Sequence, residues 1–99
     1  MKDHPALTEA RKVIDPIIGG LDNLFSRWVD EHEHEDFKDY KDKAVEMLTC
    51  SAEETGVEVE NPGLATNQHG LVLSFILPKQ ALVRLEEQTD RLSLRVTPL

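Results

Sequence analysis

The residues with the most obvious capacity for chemistry lie in one stretch, DEHEHEDFKDYKD, from Asp30 to Asp42. It holds two of the four histidines, His32 and His34, and seven carboxylates: Asp30, Glu31, Glu33, Glu35, Asp36, Asp39 and Asp42. Such a run suits metal binding, acid–base catalysis, docking of a basic partner, or plain solvation. On a strand the two imidazoles of His-x-His share one side and can share a metal. On a helix they stand about 200° apart and cannot. The flanking residues favour helix, where His32 pairs instead with Asp36 at i,i+4, which makes only two ligands. Zinc takes three or four protein ligands, so His4 or His69 would have to arrive from elsewhere in the fold. The pattern is not HExxH either. No bound metal is expected.

Catalysis is not expected. Carboxylates do acid–base work when burial drives their pKa values apart, and a run this polar stays in water. No serine or cysteine sits in a nucleophile motif, and IIGGLDN has neither the spacing nor the lysine of a phosphate loop. No cofactor is implied. Cys50 is the only cysteine, so the chain has no internal disulfide, which fits a reducing compartment. Beside Leu48 on a helix, it reads as a small buried core thiol.

The net charge is −8, and residues 1–56 carry most of it, with 14 acids against 7 bases; residues 57–99 have 5 against 4. Nucleic acid and anionic membranes are excluded as direct partners, because phosphate contacts need clustered Lys and Arg. A basic protein remains electrostatically compatible. The seven carboxylates are therefore the candidate partner-binding surface, although Lys38 and Lys41 dilute it. The N-terminus has no apolar leader segment, and the longest apolar run, LVLSFIL, is far short of the ~20 residues that span a bilayer. A cytoplasmic, soluble protein is the expectation.

Three helical stretches must position that surface. Leu7, Ala10, Ile14, Ile17, Leu21, Leu24 and Trp28 recur at steps of three and four, one face of a helix. Pro16 interrupts them, leaving either one kinked helix or two: about 6–14, then 16–31 with Asp15 as N-cap. The second is preferred. A new apolar series from Phe37 through Tyr40, Ala44 and Leu48 is half a turn out of phase with the first. The chain therefore turns within 31–36, and a helix runs about 36–55 with Gly56 as its left-handed cap.

Beyond Gly56 the period becomes two. VEVE predicts a strand at 57–61, NPGLATNQHG reads as loop, and LVLSFIL predicts a central strand at 70–77. PKQALVRLEEQT is rich in helix formers and predicts a crossover helix at 79–89, with a strand through Val83 and Leu85 as the alternative. RLSLRVT predicts a strand at 91–97. The sum is one small α+β domain over 1–99, its N-terminal helices packed on a mixed sheet. LVLSFIL is apolar on both sides, so Val72 and Ile76 form a second face that the crossover helix or a second subunit must cover.

The expected function is that of a non-catalytic protein–protein interaction module, with Val72 and Ile76 as the candidate face of a homodimer. The alternative is an acidic decoy that mimics DNA toward a basic nucleic-acid-binding protein. A weaker one is a metal-binding or hydrolytic protein built on His32 and His34.

Overall fold

The structure, a computed structural model, describes residues 5–30, 37–88 and 91–99. It is an α+β arrangement of N-terminal helices packed on one face of a four-stranded sheet. Helix α1 (Pro5–Ile14), a 3-10 turn (Asp15–Ile17) and α2 (Ile18–Asp30) follow one another without a break; α3 (Phe37–Thr55) comes next. The strands are β1 (Glu60–Asn67), β2 (Gly70–Leu77), β3 (Ala81–Gln88) and β4 (Arg91–Pro98), in spatial order β1-β2-β3-β4.

Pro16 does not separate two helices. Ile14 and Ile18, which flank the turn, both keep right-handed helical dihedrals, and no side chain caps the segment. Asp15 is therefore no N-cap, and the preferred two-helix reading gives way to one continuous run. Proline supplies no N–H to the carbonyls three and four residues back, those of Val13 and Lys12, so the helix tightens locally into 3-10 geometry. The orphaned acceptor finds a donor elsewhere: the Ser51 hydroxyl on α3 donates to the Val13 carbonyl at 2.6 Å. Ser51 is 2% exposed, the single buried polar residue among those described. Ala6, Ala10, Ala44 and Ala52 are also buried, and side chains this small let neighbouring helix backbones approach closely.

Helix α3 ends as its sequence predicts. Gly56 takes φ +73°, and the Val57 N–H donates back to the Ala52 carbonyl at 3.0 Å. This is the six-to-one bond of a Schellman cap.

Two expectations about the sheet fail. Residues 81–88 form a strand, not a crossover helix, so the sheet is an all-antiparallel meander. Their burial decides it: Ala81, Val83 and Leu85 are buried, while Arg84 between the last two is exposed, a period of two that overrides helix propensity. Pro78 belongs to a tight turn, in which Lys79 adopts φ 65° and the Gln80 N–H donates to the Leu77 carbonyl at 3.0 Å. The first strand also begins later than 57, since β1 incorporates most of the presumed loop. A register shift between Glu60 and Gly63 absorbs Asn61, at φ 49°, and Pro62. A bulge on an edge strand is a position where proline is tolerated.

The inner sheet face carries Leu64, Leu71, Leu73, Phe75, Leu77, Val83 and Leu85 into one core with Val13, Ile14, Leu21, Phe25, Trp28 and Leu48. Helix α3 lies over β1, α2 over β2, and α1 reaches β4. No described helix is long and apolar enough to cross a membrane.

Candidate functional site

The carboxylate surface is only partly described. Asp30 is exposed at the end of α2, and Asp39 and Asp42 are exposed on α3. Glu31, Glu33, Glu35 and Asp36, with His32 and His34, lie outside the described residues. The ends of α2 and α3 are joined by aromatic packing. Trp28 meets Phe37 edge-on at 5.6 Å between ring centroids and Tyr40 at 5.2 Å. Such T-shaped contacts add to plain area burial.

Helix α3 buries Tyr40, Ala44, Leu48, Ser51 and Ala52. Steps of three and four from Asp39 lead through Asp42, Glu46, Cys50 and Glu53, all exposed. At about 100° per residue these five stay within one arc on the solvent side. Cys50 is therefore exposed, not a core thiol; it stands two residues, or about 200°, from buried Leu48.

An open groove flanks this ridge on each side. One, of about 490 Å³, lies between the 3-10 turn and α3 and includes Ile17, Met47 and Glu54. The other, of about 380 Å³, lies between α3 and the β1 bulge and includes Val45, Thr49 and Pro62. Glu46 and Cys50 border both. Ile18, 36% exposed, adds apolar surface nearby. Gly20 permits this geometry, since a Cβ there would stand 3.1 Å from the Met47 sulfur. Lys43 and Lys41 reach the first and second groove respectively. The walls are thus apolar, and the charges sit at their rims. The sequence held part of the signal: Val45 and Met47 stand beside the main apolar series. The grooves themselves depend on Ile17 and Pro62, whose placement is tertiary.

The opposite sheet face is uncovered by any described helix. Val72 and Ile76 point there, and among the described residues Val72 is the one buried apolar residue outside the common core. With no crossover helix, its cover comes from within the sheet, where it lies between Ala65 on β1 and Glu86 on β3. Val72 is already 4% exposed in a single chain, so it needs no second subunit to leave water. Arg84 and Arg95 face each other across β3 and β4, a like-charge pair that Glu86 relieves at 3.5 Å and 3.9 Å. These arginines are largely exposed, and such pairs contribute at most ~1 kcal/mol each.

One carboxyl is misplaced by the usual rules. Glu87 points to the helix side of β3, and its Oε2 is buried with no hydrogen-bond partner among the described residues. Burial pushes its pKa above the ordinary 4.5, and the Asp22 carboxylate pushes it further. Among the described residues no three of His, Cys, Asp and Glu form a metal-ligand group. No protein-family model, curated protein or solved structure matches this chain.

Proposed function

We propose that this chain is a non-catalytic protein-binding module whose α3 face receives a basic, amphipathic segment of a partner protein. The observation that carries this reading is the ridge of Asp39, Asp42, Glu46 and Glu53 between two open apolar grooves. Apolar anchors from the partner fill the grooves beside Met47 and Val45, and its Lys or Arg side chains meet the ridge. Helix-in-groove recognition uses this division of labour. The apolar contacts supply most of the affinity, and the exposed carboxylates supply steering and register. The net charge of −8 favours a basic partner from a distance.

The acidic decoy draws on the same one-sided carboxylates, but Lys38, Lys41 and Lys43 interleave them. A DNA mimic has no use for apolar grooves beside its charges, which favours the segment-binding reading. The test is affinity capture from the native cell with the wild-type chain, the Glu46→Lys/Glu53→Lys variant and an Arg84→Glu control on the opposite face. The reading expects one protein to be held by wild type and control but lost by the α3 variant. Equal capture by all three defeats it. A captured protein that nucleic acid displaces from the chain supports the decoy instead.

A further inference from the structure

The free edge of the sheet carries a separate inference. Among the described residues, strand β4 pairs with β3 on one side only. The Leu99 N–H donates to the Gln80 carbonyl at 3.1 Å, continuing the β3–β4 register by one residue. In an antiparallel ladder the residues that bond across alternate with those that do not. Residues 97, 95, 93 and 91 therefore bond to β3, while Leu92, Leu94 and Val96 turn their N–H and C=O groups outward. No hydrogen bond among the described residues reaches those groups. Pro98 falls in the outward set, where it has no N–H to present, and so closes the edge. The side chains of Leu92, Leu94 and Val96 pack against the core and remain only half-buried.

An unpaired edge of this length is a template for another strand. We infer that its occupant is a second copy of this chain, with β4 pairing antiparallel to the partner's β4 about a twofold axis at Leu94, so that the two sheets become one of eight strands.

The sequence of β4 selects both copy and register. Centred on Leu94, the pairing sets Leu94 against the partner's Leu94 and Leu92 against the partner's Val96, apolar on apolar. On the other face it sets Ser93 against the partner's Arg95. Every outward N–H in the row gains an outward carbonyl. Centring on Ser93 would run Val96 past the end of the partner's β4, and centring on Arg95 would oppose that residue to itself; like charges directly opposite are destabilising. The edge also lies in the half of the chain whose acids and bases nearly balance, where two copies repel least. The axis is perpendicular to the sheet, so both helix layers fall on one side and the apolar row continues beneath them.

Sedimentation over a concentration series, with amide exchange at Leu92, Leu94 and Val96, tests this. Wild type is expected to dimerise, with those amides protected only where dimer dominates. Ser93→Arg opposes two arginines across the axis twice while facing Glu86 within its own chain. It is expected to weaken the dimer at least ~10-fold. Leu94→Pro removes an outward N–H without touching the β3 ladder and is expected to give a folded monomer. A wild-type monomer up to ~1 mM, unprotected edge amides in a dimer, or an unchanged dissociation constant in either folded variant overturns the inference. The exchange measurement needs no variant, so a failure of either variant to fold leaves the test intact.

Discussion

Replacing Ser51 with alanine tests how the helical layer tolerates a proline. The Ser51 hydroxyl donates at 2.6 Å to the Val13 carbonyl, three residues before Pro16, inside the α1–α3 contact. Removing the hydroxyl strands a buried acceptor that Pro16 cannot serve. A buried polar group left without its partner costs about 1–3 kcal/mol. A value near ~2 kcal/mol is expected, because the bond is short and the site excludes water. For a domain of this size that corresponds to roughly 8–16 °C in Tm, and to a large part of a total stability of about 5–15 kcal/mol. Urea unfolding followed by circular dichroism measures it directly. The decisive step is the same change in a Pro16→Ala background. Alanine restores an N–H for the Lys12 carbonyl, and once the i→i−4 ladder closes the Ile17 N–H becomes the in-helix donor to Val13. The cost of Ser51→Ala should then fall by about half or more, which a double-mutant cycle reads as coupling between sites 35 residues apart in sequence. An equal cost in both backgrounds, or a wild-type cost below ~0.5 kcal/mol, would refute the idea that Ser51 compensates for Pro16.

Glu87→Gln should stabilise the protein by less than ~1 kcal/mol near neutral pH, because the half-buried carboxylate has one oxygen shut off from water with no partner among the described residues, and an amide leaves no charge there. Because its folded pKa is raised, the native state binds the proton more tightly than the unfolded chain. This group's contribution to stability is thus greatest below 4.5 and declines as pH rises through the folded pKa. The gain from Glu87→Gln should accordingly shrink toward acid pH in a stability-versus-pH series, and a pH-independent gain would contradict it. Trp28→Ala should cost about 3–5 kcal/mol, since it removes a buried indole and both edge-on contacts to Phe37 and Tyr40; a Tm within a few degrees of wild type would count against that packing. Ile76→Glu should leave a folded chain with unchanged sedimentation, because the outer sheet face is open and Ile76 only half-buried. Loss of a wild-type dimer in that variant would move the interface from the β4 edge to Val72 and Ile76.

The helices were legible because their apolar steps span many turns and Gly56 marks a stop. The one error there, at Pro16, arose because local rules cannot see Ser51 arriving from α3 to serve the interrupted ladder. The sheet was less legible for two physical reasons. ALVRLEEQ is composed of good helix formers, and only pairing with β2 and β4 makes its alternation win. Asn61-Pro62-Gly63 looks like a turn and is a bulge, identifiable only once β2 lies beside it. At the candidate site, Asp39 and Asp42 were readable as exposed acids. The grooves that give them a use were not, since Ile17 and Pro62 come from elements distant in sequence. Cys50 is near Leu48 in sequence but about 200° from it around the helix, which puts it in water rather than in the core.

The α3 surface is tested most directly by an NMR titration of the full chain with a synthetic amphipathic peptide, apolar at helical spacing and flanked by lysines. Saturable shift changes are expected at the amides of Ile17, Val45, Glu46, Met47 and Cys50, weakening with added salt and with Glu46→Lys/Glu53→Lys. A peptide of the same apolar pattern with glutamates for lysines should leave them unmoved. Shifts confined to the Arg84–Glu86–Arg95 face, or equal response to both peptides, would contradict the assignment of α3 as the binding face.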